Sequence, residues 1–214
     1  MKQTPQELAQ KSLANGSPTD WFEVLYAQSD VSGDGIPWAK LKPNPYLVHW
    51  LDQNRVAGTN HAALVVGCGL GDDAIEVEKR GFDVTAFDVS ESAIQICRQR
   101  FPESGVKFQQ VDLLHPPDHW DRHFDFVFES LTVQSLPPDY QETAMHRIGS
   151  FVKPEGQLVV FTWLRSQKYP LDGPPWLLLP SALDEYETTG LTQQHLFKVQ
   201  HSPHVWPVVA VYKH

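Results

Sequence analysis

Three glycines at alternate positions, Gly67, Gly69 and Gly71, interrupt the stretch ALVVGCGLGDDAIEV, and two carboxylates, Asp72 and Asp73, follow at once. Glycine admits positive φ and a close backbone approach. The free N–H groups that open a following helix would converge on the same spot. Such a turn is built to hold a small ligand, and its spacing narrows which one. The dinucleotide fingerprint requires a glycine three positions after the second, but residue 72 is Asp. The phosphate loop requires a Gly-Lys-Ser/Thr ending, which is missing. Asp72 and Asp73 suit the positive end of a helix dipole and would repel a pyrophosphate. A ligand with no phosphate and with a cationic centre fits better. S-adenosylmethionine, with an amino-acid end, a sulfonium and an adenosine, is that kind of ligand.

Two further acids follow in order. Asp88, 21 residues after Gly67, ends the run DVTAFD, where a carboxylate can accept both ribose hydroxyls. NAD sites use the same device, so Asp88 and the adjacent Val89 indicate a nucleoside without choosing the cofactor. Asp112, in QQVDLL, is placed to accept from an adenine amino group, and the Leu113 amide to serve the ring nitrogens. Any one of these acids alone reads as a helix cap or a solvated loop residue. Three signals in this order, the glycine turn, Asp88 and Asp112, each at the end of a strand, form a site that also includes Cys68 between its glycines.

The elements that must position these residues alternate. HAALVV, DVTAFDV, VKFQQVDL, FDFVFES and QLVVFTWL read as strands. Between them GDDAIEVEKRG, SESAIQICRQRF and PPDYQETAMHRIGSFV read as helices, with Ser90 as an N-cap and Gly81 as a C-terminal stop. KPEG reads as a turn. Strands alternating with helices imply right-handed crossovers and a mostly parallel α/β sheet. Ahead of them lie three short helices, over 4–15, around 18–26 and in NPYLVHWLDQN, with a Gly/Pro-rich loop before the third. After Leu164 the rhythm breaks into a loop, the helix PSALDEYETTG and a closing hairpin.

The 214 residues suffice for one domain with a sizeable core. This single domain divides into a helical cap or lid over 1–58, a cofactor-binding core over 59–164 and an acceptor-side insertion with the hairpin over 165–214. The formal net charge is −9 with no basic run, which argues against nucleic acid as partner. No stretch of 18 apolar residues is present, and the polar N-terminus lacks a signal-peptide core. The two cysteines, Cys68 and Cys97, form no disulfide framework. These features place the protein in the cytoplasm, as a monomer or weak homodimer with no membrane partner.

The run LVVGCGLGDDAIEVEKRGFDVTAFDVSESAIQICRQRFP resembles the cofactor-binding half of class I S-adenosylmethionine-dependent methyltransferases, and VDLL, FDFVFES and FVKPEGQLVVF continue the resemblance to about residue 163. It implies a Rossmann-like, doubly wound, seven-stranded sheet. Six of its strands would be parallel and the last antiparallel, with helices on both faces. Most of that family carry an acid two residues before the first glycine, where this chain has Val65. The thiopurine, thiol and tellurite methyltransferase branch often lacks it too. GIPWAKLKPNPYL and LDGPPWLLLPSALDEY resemble segments of that branch.

The resemblance implies methyl transfer to a small-molecule acceptor, with a thiol or other soft nucleophile among the candidates. A thiolate needs little base catalysis, because part of it is ionised near neutral pH. A hydroxyl or carbon acid needs a dedicated base. Trp38 is a lid residue that could sit against a sulfonium by cation–π attraction. Trp21 and Tyr26 serve either as lid or as packing. Glu129, Thr132 and Gln134 leave the fourth strand on the edge that faces the methyl group in this fold. Glu129 is the carboxylate expected near the sulfonium or acceptor. Trp163 and Arg165 could line the acceptor side, with Arg165 favouring an anion. The acceptor atom, whether S, N, O, halide or metalloid, stays open.

Other constellations are weaker. His115, His119 and His123 could share a helix face and bind metal, but Pro116 and Pro117 oppose that helix; no metal is expected. His195, His201 and His204 fall in the hairpin. Ser130 and His146 lack a nucleophile-elbow context. Two alternatives remain: a non-catalytic nucleoside-binding or regulatory protein on the same scaffold, and an NAD-dependent oxidoreductase, against which Asp72 speaks.

Overall fold

Strand alternation decides the architecture. Along the first strand Leu64 and Val66 point to one face of the sheet, Ala63 and Val65 to the other, and all four are buried. A strand buried on both faces belongs in the middle of a sheet covered by helices on each side.

The computed structural model describes residues 3–198 and 204–214. Seven strands form one sheet: β1 (Ala62–Val66), β2 (Asp83–Asp88), β3 (Lys107–Gln110), β4 (Phe124–Ser130), β5 (Val152–Arg165), β6 (Thr192–Lys198) and β7 (Val205–Lys213). Their order is β3-β2-β1-β4-β5-β7-β6. β1 through β5 pair in parallel, and β7 runs antiparallel to both β5 and β6. This is the doubly wound, mostly parallel sheet with an antiparallel last strand. The strand order reverses at β1, which opens a crevice at its carboxyl end.

The helices are α1 (Pro5–Ala14), α2 (Asp20–Tyr26), α3 (Pro45–Gln53), α4 (Asp72–Lys79), α5 (Glu91–Arg100) and α6 (Pro138–Ser150). On one face α6 and a 3₁₀ helix over Pro180–Thr189 pack on Val127, Leu158 and Val160. On the other, α3, α4 and α5 cover Val65, Ala86, Phe128 and Val159. α3 lies flat on this face, with Trp50 stacked on Phe126 and Tyr46 on Phe161. α1 and α2 form a smaller layer against α5, through Leu8, Trp21, Leu25 and Ile96. Glu23 ties that layer down by accepting from the Ser90 and Ser92 hydroxyls and the Ser92 N–H at the start of α5.

Ser90 caps α5 by accepting from Ala93 N–H at 3.0 Å, and Gly81 takes φ +92 after α4. KPEG is not a turn between elements. It lies inside β5, where Glu155 takes φ +65 and the β4 register slips between Phe124 and Phe126. The bulge keeps both flanking segments in the ladder, so the apolar run after it still meets β4 in register. His201 lies outside the described residues. Among those described, no three His, Cys, Asp or Glu side chains gather to hold a metal, and no helix is long and apolar enough to cross a membrane.

Candidate functional site

The glycine turn leaves β1 with Gly67 at φ +57, Gly69 at +53 and Gly71 at +89. L side chains rarely adopt these conformations. A Cβ on Gly67 would stand 2.3 Å from Thr132 Oγ1. Thr132 closes over the turn and donates its hydroxyl to Val66 O at 3.2 Å. A Cβ on Gly69 would stand 3.1 Å from the Tyr26 hydroxyl. Thus the space the sequence reserves above Gly67 is occupied by the chain's own Thr132. Gly71 faces the opposite way, onto Cys97, Phe101 and Phe108. It lets α4 pack against α5 and β3, and it does not line the cavity described next.

Around the turn lies a cavity of about 600 Å³ at the carboxyl edge of the sheet. Small-molecule and cofactor sites span about 300–1,000 Å³. Gly67, Cys68, Gly69, Asp88, Val89, Asp112, Leu113, Thr132, Gln134 and Trp38 all line it. Seven of these ten come from β1, β2, β3 and the turns leaving them, brought together by parallel pairing.

Asp88 is buried, and each of its oxygens accepts one backbone N–H: Oδ2 from Gly69 and Oδ1 from Ser90, both at 3.0 Å. Burial pushes its carboxyl up to about 6. It therefore braces the glycine turn and keeps lone pairs for the cavity. Asp112 accepts from Leu114 N–H at 2.9 Å and lies 2.9 Å from His115 Nδ1. The Cys68 thiol is held well above its usual range by its contact with Cys97 and by burial. Cys97 Sγ in turn reaches Gly69 O at 3.1 Å. Both sulfurs are free thiols serving as packing at the turn.

The two aspartates at the start of α4 differ. Arg100 takes Asp72 in a two-point pair at 2.7 and 2.8 Å, so the repulsion expected of it is neutralised. Asp73 keeps its charge exposed to the cavity, and burial pushes its carboxyl up to about 6.

On the far wall stand aromatic and apolar side chains. The Trp38 indole N–H donates to the Tyr26 hydroxyl at 2.9 Å, and Trp21 and Phe22 meet Trp38 edge-on. Gln134 Oε1 accepts from Thr162 Oγ1 and Trp163 N–H, both at 2.9 Å. Its Nε2 has no partner among the described residues, while the residue lines the cavity.

Three residues expected at the site stand elsewhere. Glu129 is fully buried and lines no part of the cavity; its Oε1 accepts from Thr132 and Val133 N–H at 2.6 and 3.2 Å. Still within β4, its side chain turns beneath the loop that leaves the strand and takes the first free N–H groups beyond it. Burial raises its carboxyl to about 7. Trp163 contributes its N–H to Gln134 and packs with the α3 face. Arg165 turns away from the cavity to Leu177 O at 3.0 Å and orders the loop around Tyr169.

Lys40, Lys42, Asn44, Tyr46 and Phe161 also line the cavity. Asn44 has one local signal, the Asn-Pro start of α3, where it accepts from Tyr46 N–H at 2.9 Å. Its reach to Asp73, 29 positions away, has none.

A family model described as a methyltransferase domain matches residues 63–156, the span from β1 into β5 that carries the turn, Asp88 and Asp112. Over that span the chain is similar to the methyltransferase domain of the class I S-adenosylmethionine-dependent enzymes. Curated relatives of this chain include the Probable thiol methyltransferase 2 of Arabidopsis thaliana, 25% identical over 198 residues, which cover 85% of this chain and 81% of that one. The Thiocyanate methyltransferase 1 of Brassica oleracea is 24% identical, over 71% of this chain and 67% of its own. Among solved structures, a Burkholderia thailandensis 1,6-didemethyltoxoflavin-N1-methyltransferase with bound S-adenosylhomocysteine superposes with TM-score 0.66 at 16% identity, covering 100% of this chain and 91% of that one. The [4+2]-cyclase SpnF superposes with TM-score 0.68 at 15% identity, over 98% of this chain and 96% of its own. These structural likenesses show a shared fold.

Proposed function

We propose that the protein moves the methyl group of S-adenosylmethionine onto a small soft nucleophile, a thiolate first among them. The cofactor supplies a methyl group made electrophilic by its sulfonium. The cavity fits such a ligand. It carries the nucleoside-facing acids Asp88 and Asp112, and its opposite wall is mostly apolar, with Lys40 and Lys42 also in the lining. The observation that carries the acceptor reading is that wall. The carboxylates Asp73, Asp88 and Asp112 line the cofactor side, and Glu129 is turned under the β4 exit with its Oε1 on backbone N–H groups. The acceptor side presents Trp38, Tyr46, Phe161 and the Gln134 amide. Such a wall aligns a nucleophile and excludes water without taking its proton. Thiols ionise near neutral pH by themselves. The names of the thiol and thiocyanate relatives support this choice.

Gln134 would orient the acceptor through its Nε2 N–H. Trp38, held by Tyr26, would close the pocket over the cofactor, with residues 1–58 as the lid and 165–214 as the acceptor-side insertion. Calorimetry with S-adenosylhomocysteine tests the cofactor assignment, and heat of binding at micromolar ligand is expected. Turnover against a panel of thiols, amines and phenols tests the acceptor. Thiols should react fastest. Binding with no turnover on any panel member would point to the regulatory alternative.

A further inference from the structure

The cavity has two sides relative to the glycine turn. Asp88 and Asp112 hold the side made by β2 and β3. The start of α4 adds two more carboxylates to the lining, Asp72, which Arg100 pairs, and, toward β4, Asp73. It is fixed there from outside its helix: Asn44 N–H donates to Asp73 Oδ1 at 2.6 Å, while Asn44 Nδ2 donates to Ser130 Oγ at the end of β4, 3.1 Å away. Asn44 and Ser130 line the cavity beside it. The strand beneath offers no charge, since β1 ends in the buried Val65 and Val66.

Among the described residues Asp73 forms no ion pair, although Lys40 and Lys42 line the same cavity. Its charged neighbours are acids, Asp72 and Glu76. The arginines nearby are committed, Arg100 to Asp72 and Arg80 to Glu76 and Asp52. Its Oδ2 accepts no hydrogen bond among the described residues. A mostly buried carboxylate with one donor is costly unless a positive group completes it. The ligand proposed for this cavity brings two positive charges, the sulfonium and the α-ammonium of its amino-acid end. With the nucleoside on the Asp88 and Asp112 side, the amino-acid end must extend toward β4, where Asp73 stands.

We infer that Asp73 binds the α-ammonium group of the cofactor through its Oδ2, with Asn44 holding the carboxylate in place. The inference rests on the S-adenosylmethionine reading of the cavity.

The test compares two ligands on two proteins by calorimetry. S-adenosylhomocysteine carries the amino-acid end; 5′-methylthioadenosine has the same nucleoside and a thioether but no amino acid. Asp73→Asn keeps an acceptor for Asn44 N–H and removes the charge. In the variant, S-adenosylhomocysteine should bind about ten-fold or more weaker, the scale of a charge-assisted hydrogen bond. Affinity for 5′-methylthioadenosine should change by less than about two-fold. Equal losses for both ligands would show that Asp73 only shapes the turn, and no loss for either would remove it from the site; each overturns the inference. Wild-type protein that binds 5′-methylthioadenosine but gains nothing from the amino-acid end would overturn it while leaving the nucleoside site standing. Wild-type protein that binds neither ligand would overturn the cofactor reading and this inference with it. Should Asp73→Asn fail to fold, a crystal structure of the wild type with S-adenosylhomocysteine decides. An ammonium nitrogen about 3 Å from Asp73 Oδ2 supports the inference, and one directed elsewhere refutes it.

Discussion

Replacing Glu129 by Gln should stabilise the protein above neutral pH and leave its stability nearly unchanged at pH 5. Glu129 is fully buried, and burial moves its carboxyl from 4.5 to about 7. The unfolded chain loses this proton near 4.5, the folded chain only near 7. Between those values the folded state binds more protons, so the contribution of Glu129 to stability falls as pH rises and is fully lost above 7. The loss amounts to about 3 kcal/mol. Gln keeps an acceptor for Thr132 and Val133 N–H. Its NH₂ takes the place of Oε2, which has no partner, and must find one or cost about 1 kcal/mol. The net gain expected at pH 8 is about 2 kcal/mol, or roughly 4–8 °C in Tm for a domain of this length. Urea melts of both proteins at pH 5, 6, 7 and 8 measure it. Asp73 and Asp88 titrate in both proteins and cancel in the difference. A difference that stays flat from pH 5 to 8, or a variant less stable at pH 8, refutes the burial argument.

Asp88→Ala should weaken S-adenosylhomocysteine binding about ten-fold or more, read by calorimetry; unchanged affinity would remove Asp88 from the site. Arg100→Leu strands Asp72 in a mostly buried place and should cost about 3 kcal/mol in urea melts, much of it recovered when Asp72 is also changed to Asn. Gln134→Glu preserves the acceptor for Thr162 and Trp163 but puts a negative charge on the acceptor wall. KM for a thiol acceptor should rise about ten-fold with little change in Kd for S-adenosylhomocysteine, on the scale of one charge-assisted contact. Equal effects on both would place Gln134 outside the acceptor side.

Much of this protein is legible in one dimension because its strands are continuous apolar runs. β1, β2 and β4 are buried on both faces, and each is followed by a turn whose residue types are dictated locally. Gly67, Gly69 and Gly71 must accept positive φ, and Ser90 must cap a helix. Asp88 and Asp112 stand at strand ends that parallel pairing is bound to bring together, so the nucleoside side of the cavity follows from order and spacing. The direction a side chain takes after the strand ends is not local. Glu129 occupies the expected position on the chain, yet it folds under its own turn, because the Thr132 and Val133 N–H groups are the nearest donors. Arg165 finds loop carbonyls, and Asp72 finds Arg100 from the next helix. Asp73 acquires its role from Asn44, in a segment that reaches the site only when α3 packs on the sheet. Sequence determined the scaffold and the strand-end acids, since those depend on periodicity and backbone conformation. Tertiary structure decided which charges are neutralised and which face the ligand, since that depends on partners from distant segments competing for each group.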